Sequence, residues 1–167
     1  MTMDRLWAPW RIKYVSMKSR GCIFCKFGRA RADQRKFVVE RGETGFSVLN
    51  IFPYNNGHVM VAPFRHVAIL EKLNAQEAAE LFRLVISAKK KLDRCLNPDG
   101  YNIGLNLGRV AGAGFPGHLH IHIVPRWNGD TNFMPAVAGA KVISQSLNEL
   151  YQKLTHVDSK RTRVNRR

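Results

Sequence analysis

Acidic residues and cysteines are scarce in this sequence, and long apolar runs are missing altogether. No run approaches the roughly 20 residues needed to cross a bilayer, so a membrane partner is not expected. The opening MTMDRLWAPWRIKY has no apolar leader region and no small-residue cleavage site, which makes the cytoplasm the expected location. Only three cysteines occur, Cys22, Cys25 and Cys95. An odd count in such a chain argues against a disulfide framework. Asp and Glu number 12 against 27 Lys and Arg, a formal net charge of +15 over 167 residues. That excess can steer polyanions such as nucleoside polyphosphates toward the surface, or can simply aid solubility. No RNA-binding signature accompanies it, so nucleic acid is not the expected partner. Neither an internal repeat nor a Mg²⁺-site motif is present.

What remains is an ordinary globular composition, 45% hydrophobic and 23% charged. The length suits one domain, expected over residues 1–155, with residues 156–167 as a basic, disordered tail. Trp7, Trp10 and Tyr14 suggest an N-terminal arm that packs against something. Phe37–Glu40, Phe46–Asn50, His58–Pro63 and Tyr101–Leu107 read as strands. A helix is expected from Ala75 to about Leu96, with Asn74 as N-cap, Glu77 completing a capping box, and Ala78, Leu81, Phe82, Val85 and Ile86 on its core face. Asn97-Pro-Asp-Gly stops that helix. Cys95 within it reads as a small buried residue. A second helical pattern covers residues 141–154. Strands segregated from few helices indicate an α+β fold, a mainly antiparallel five-stranded sheet covered by one long helix, with a C-terminal helix.

The fifth strand carries the chemistry. His118, His120 and His122 alternate with Leu119, Ile121 and Ile123 behind a loop containing Gly112, Gly114 and Gly117. The period of two places the apolar residues toward a core and the imidazoles on the other face, about 6.6 Å apart. The glycines free backbone N–H groups to meet an anion. Such a triple can bind one catalytic metal, or one imidazole can attack phosphorus while its neighbours orient it. Upstream, Cys22 and Cys25 form a C-x-x-C without a thioredoxin-like pattern around it, so zinc is favoured over a redox pair, with two ligands to be found elsewhere.

The run H-L-H-I-H-I-V resembles the signature of the histidine-triad (HIT) nucleotide hydrolases and transferases. Its flanks AGAG and PRWNGDTNFMP resemble the diadenosine tetraphosphate phosphorylase-like branch, and similarity extends from Trp7-Ala-Pro-Trp-Arg to about Leu154. The resemblance implies the same α+β fold in a homodimer, and action on dinucleoside polyphosphates. His120 is implied as the nucleophile, forming a nucleotidyl-histidine intermediate that water or inorganic phosphate then releases. Asn50 is implied at the ribose, His58 and Asn106 beside the phosphates, and His122 with the Gly112–Gly114 backbone at the phosphoryl oxygens. It further implies a structural zinc ion on Cys22, Cys25, His66 and His118. One departure stands out: many triad hydrolases carry Gly-Gln-Ser/Thr just before the triad, whereas this chain has Gly114-Phe115-Pro116. That change fits phosphorolysis better than hydrolysis, and Trp127, Asp130 and Asn132 are candidates to shape the acceptor site. Three alternatives stay open: a phosphoramidate or dinucleoside polyphosphate hydrolase, a metallohydrolase using all three histidines, and a nucleotide- or RNA-binding protein with a relic triad.

Overall fold

The computed structural model describes residues 21–30, 32–130 and 143–157. The N-terminal aromatics, Asn132, Val142 and the basic tail lie outside the described residues. Five strands form one sheet: β1 (Val38–Arg41), β2 (Gly45–Leu49), β3 (Val59–Pro63), β4 (Gly100–Leu105) and β5 (Ile121–Arg126). Their order is β1-β2-β3-β5-β4, and every neighbouring pair is antiparallel. Among the described residues the helices are α1 (Ile23–Arg29), α2 (Asp33–Lys36), α3 (Ala75–Leu96) and α4 (Leu147–His156), with a 3-10 turn at Leu70–Lys72. The α+β architecture expected from the sequence is what the chain adopts.

Alternation along the strands sorts residues onto two covered faces. Val59, Val61, Ile121 and Ile123 point to a core closed by Leu81, Leu84, Val85, Ala88 and Leu92 of α3 and Leu150 and Leu154 of α4. The odd-out residues Phe46, Val48, Met60 and Ala62 point to the opposite face, where Phe24 of α1 closes a second, smaller cluster. The sheet is therefore not a single layer under one helix. Strands β2 and β3 are buried along their whole length.

Helix α3 starts as its sequence signals. Asn74 Oδ1 accepts from the Glu77 N–H at 2.8 Å, and Glu77 Oε2 accepts from the Asn74 N–H at 3.1 Å. The core face differs from the expectation at two positions: Phe82 and Ile86 are exposed, at 67% and 53%. Each follows a buried residue by one position, and a step of about 100° around the helix carries it off the stripe that faces the sheet. Cys95 is only partly buried; its thiol donates to the Lys153 carbonyl. Ser146 caps α4, which runs later than the expected 141–154 window.

Two arginines tie the periphery to the sheet. Arg41 in β1 donates to the carbonyls of Phe27, Gly28 and Ala30 and to the Asp33 carboxylate. It thus satisfies the open carbonyl end of α1, which would otherwise leave acceptors unpaired. Arg65, just after β3, grips both oxygens of Glu77 at 2.8 and 2.6 Å and the Lys72 carbonyl at 2.6 Å. This fixes the loop that carries His66.

The Arg65 guanidinium, together with the Asn74 N–H, holds the Glu77 carboxyl below the usual carboxylate range. A depressed pKa gives stability that is present above the unfolded value of about 4.3 and is lost as pH falls through the folded value. Glu77→Gln is therefore expected to lower the unfolding free energy by about 1–2 kcal/mol at neutral pH. Denaturant titrations across roughly pH 3–7 should also show a shallower acid decline than in the parent. A variant with the parent's full acid dependence would show that this carboxylate is not held by Arg65.

Candidate active site

The described part of β5 begins only at Ile121, so His118 and His120 precede the ladder on an irregular segment while His122 lies within it. His122 pairs across with Met60 on one side and Gly104 on the other. The three imidazoles consequently do not form an even row. His118 turns away into a cluster with Cys22, Cys25 and His66, whereas His120 and His122 remain together with ring centroids 4.8 Å apart. Leu119, Ile121 and Ile123 are buried as their alternation requires.

Hydrogen-bond partners fix the proton on each ring. The His120 Nδ1–H donates to the His118 carbonyl at 2.8 Å, which leaves Nε2 with a free lone pair. Burial pushes the His120 imidazole below its ordinary pKa, favouring the neutral ring that such a lone pair requires. A second chain of donors sets His122. The Tyr54 backbone N–H at 3.1 Å and Asn50 Nδ2 at 3.2 Å both point at His58 Nδ1, making that atom an acceptor. His58 Nε2–H then donates to His122 Nδ1 at 2.8 Å, and the His122 proton sits on Nε2. Adjacent rings thus offer opposite tools: a nucleophilic nitrogen on His120 and a donor on His122.

Asn50, Phe52, Tyr54, Met60, Gly112 and Gly114 line one cleft with His120 and His122. His58 stays beneath it, 1% exposed and stacked on Tyr54 with centroids 4.8 Å apart. Asn50 also accepts from the Phe52 N–H, so its amide shapes the loop as well as facing the cleft. Gly112 adopts φ +85, which only glycine takes easily, but its own N–H donates to the Arg109 carbonyl at 3.0 Å and the Ala113 N–H to the Gly108 carbonyl at 3.4 Å, so these two groups close the loop and do not open toward an anion. Asn106 lies half-buried just past the end of β4.

Two residues that hold this site carried no signal in the sequence. Asn55 is buried and donates to the Pro125 carbonyl at 3.0 Å and to Asp130 at 2.8 Å, pinning the 50–58 loop to β5. Asp130 in turn accepts from Arg126 and from the Trp127 N–H, so it is a brace for this loop. Gly57, at φ +76, lets the loop turn where a Cβ would meet Leu96 at 2.6 Å. Phe24 is the other: its ring stacks on His120 at 4.6 Å. It sits inside the C-x-x-C, where the cysteines draw attention first. Phe115, in the position where a polar leaving-group contact was expected to be missing, packs edge-on against Phe24 instead.

Cys22, Cys25, His66 and His118 bring their ligand atoms within 4.8 Å of one another and can hold a metal ion. Cys22 Sγ lies 3.3 Å from His118 Nδ1, and Cys25 Sγ lies 3.3 Å from His66 Nδ1 and 3.7 Å from His118 Nδ1. A tetrahedral zinc site with ordinary bond lengths has sulfur-to-nitrogen edges of about 3.5 Å, so these three edges already stand close to that spacing. The His118 Nε2–H donates to the Pro63 carbonyl at 2.9 Å, which leaves Nδ1 bare toward the cluster. Burial, reinforced by the Cys22 thiol, raises the Cys25 pKa, so an arriving cation displaces a proton. One metal shared by His118, His120 and His122 does not fit, because both ring nitrogens of His118 are engaged elsewhere, Nδ1 with the cysteines and Nε2 with the Pro63 carbonyl.

Comparison with known proteins agrees with this geometry. A family model described as the HIT domain matches residues 31–129. An AP-4-A phosphorylase of Mycobacterium tuberculosis is 40% identical over 157 residues, covering 88% of this chain and 80% of that protein. An adenosine 5′-monophosphoramidase of Schizosaccharomyces pombe is 35% identical over 109 residues, covering 64% of this chain and 75% of that protein. Among solved structures, a hypothetical histidine triad nucleotide-binding protein from Sulfolobus tokodaii superimposes with a TM-score of 0.64 at 25% identity, over 85% of this chain and 94% of that one.

Proposed function

Because this chain belongs to the HIT domain family, we propose that it is a nucleotidyl transferase acting on dinucleoside polyphosphates such as diadenosine tetraphosphate. The observation that carries the reading is the bare Nε2 of a buried, neutral His120 beside a His122 whose Nε2 carries a proton. The His120 Nε2 lone pair attacks an α-phosphorus, an Nε2–P bond forms, and the P–O bond to the rest of the polyphosphate breaks. From diadenosine tetraphosphate the departing group is ATP and the intermediate is AMP on His120. The His120 Nδ1–H stays on the His118 carbonyl, where it stabilises the positive charge that the ring gains. His122 Nε2–H and the Gly114 N–H would meet the phosphoryl oxygens, the place where charge stabilisation accelerates such transfers most, while the Gly112 and Ala113 N–H groups are already given to the Arg109 and Gly108 carbonyls. Asn50 at the mouth of the cleft suits the ribose, and Asn106 the phosphates. The net charge of +15 favours capture of a polyanion.

The second step releases AMP from His120. Phe115 is half-buried against Phe24, and the Gly114-Phe115-Pro116 segment carries no polar side chain to position a water. Inorganic phosphate held by backbone N–H groups is then the favoured acceptor, giving ADP and a free His120. The similarity to an AP-4-A phosphorylase supports this choice. The Schizosaccharomyces pombe relative favours a second reading, in which the same attack expels an amine from an adenosine phosphoramidate.

Zinc on Cys22, Cys25, His66 and His118 is the metal that the donor set suits. With no ligand position left open, it supplies a cross-link, not reaction chemistry. It would tie α1 to the segment that carries His120.

A second copy of this chain is the partner we assign. Among the described residues strand β4 is the outer strand on one side of the sheet, with Ile103 and Leu105 exposed, and Phe82 and Ile86 of α3 are exposed as well. A twofold contact would pair β4 with its own copy, satisfying the open edge and covering these residues in one step.

Three outcomes test these statements. Diadenosine tetraphosphate with saturating phosphate is expected to yield ATP and ADP by chromatography, and His120→Ala to lose at least about 10³-fold in turnover; AMP as the main product would establish hydrolysis instead. Elemental analysis of protein purified without chelators should find about one zinc per chain, and Cys22→Ser/Cys25→Ser should lose it together with thermal stability. Unchanged zinc in that variant refutes the ligand set. Light scattering should give twice the 19.0 kDa chain mass, and Phe82→Glu should halve it, whereas a monomeric parent removes the dimer.

A further inference from the structure

The hydrogen bond from His120 Nδ1 to the His118 carbonyl fixes the tautomer and one ring atom, but not the ring plane. The imidazole χ2 torsion is broad and can swing about that bond. Attack on phosphorus demands alignment to within roughly 10–20°, so something else must hold the plane. Phe24 is placed to do so. Its ring lies 4.6 Å from the His120 ring at an interplanar angle of 29°, while His122 meets His120 from another side edge-on, at 73°. Phe24 also leans on the ring of His118, at 5.2 Å and 38°.

Phe24 is itself immobilised. It is 1% exposed. Phe115 and Phe27 meet it edge-on at 6.1 and 6.5 Å. Val38, Phe46, Val48, Met60 and Ala62 complete the cluster around it. Its helix is anchored through the Phe27, Gly28 and Ala30 carbonyls on Arg41. At this depth the ring does not meet solvent, so it acts on substrate only through His120.

We propose that Phe24 is a positioning residue: its buried ring, stacked on the His120 imidazole, holds the plane in which Nε2 points into the cleft beside His122. The inference rests on His120 being the nucleophile. A ring that merely filled the core would matter to stability and not to the rate of attack.

The test is a rapid-quench single turnover with diadenosine tetraphosphate, reading AMP on the His120 peptide by mass spectrometry. Phe24→Leu keeps an apolar side chain but removes the flat face, and Phe27→Leu removes a ring from the same cluster that contacts Phe24. Both are compared at equal metal content. Phe24→Leu is expected to slow adduct formation about 10- to 100-fold with little change in half-saturating substrate. Phe27→Leu should form the adduct near the parent rate even where its melting temperature falls as far. Adduct formation at the parent rate in Phe24→Leu overturns the positioning role while leaving the nucleophile in place. An adduct on another residue in the parent overturns both. Should Phe24→Leu not fold, proton NMR of the parent decides: His120 ring protons displaced upfield by the Phe24 ring current support the stack, and ordinary shifts overturn it.

Discussion

The short hydrogen bond from the His120 ring to the His118 carbonyl is the constraint on which the rest of the site depends. His118 serves two centres through two ends of one residue. Its imidazole joins the Cys22, Cys25 and His66 cluster, and its backbone carbonyl sets the tautomer of His120. The His118 Nε2–H is held in turn by the Pro63 carbonyl at the end of β3, so neither end is free to drift. Removing the His118 side chain would leave that carbonyl in the chain but take away what holds it still. The nucleophile proposed at His120 sits on an irregular segment and needs such bracing, because the sheet ladder begins only one residue later.

The two-faced sheet explains why these centres meet. Period-two alternation sends Ile121 and Ile123 into the large core under α3 and α4, and forces His122 to the opposite face. That face is covered by α1, which brings Phe24 and both cysteines with it. The large core therefore gives stability, while the smaller cluster places chemical groups. Arg41 joins the two by pinning α1 to the first strand. The loop from Asn50 to His58 is held separately, by Asn55 on Pro125 and Asp130, and it delivers His58 beneath His122.

Much of this was legible in the residues. The capping box at Asn74 and Glu77, the α+β class and the C-terminal half of the triad strand follow from local rules of periodicity and capping, and the structure adopts them. What was not legible depends on distant partners. Phe82 and Ile86 share the i, i+3, i+4 rhythm of a core face, and only the angle at which α3 meets the sheet puts them outside. The even spacing expected of three imidazoles failed because His118 leaves the strand geometry for the cysteines. Phe24 and Asn55 carry no signal of their own, since their roles come from contacts 96 and 70 positions away with His120 and Pro125. The His58 relay is likewise invisible until the loop folds back, because the Tyr54 N–H that sets it is a backbone atom.

The central claim is a set of proton positions, so it is tested most directly by observing them. Nitrogen-15 NMR of the histidine side chains, assigned by single substitutions, distinguishes a ring protonated at Nδ1 from one protonated at Nε2. His120 should appear as the neutral Nδ1–H form at neutral pH, and both His58 and His122 as Nε2–H forms. A His120 protonated at Nε2 would contradict the proposed nucleophile, since that nitrogen would then have no lone pair to offer.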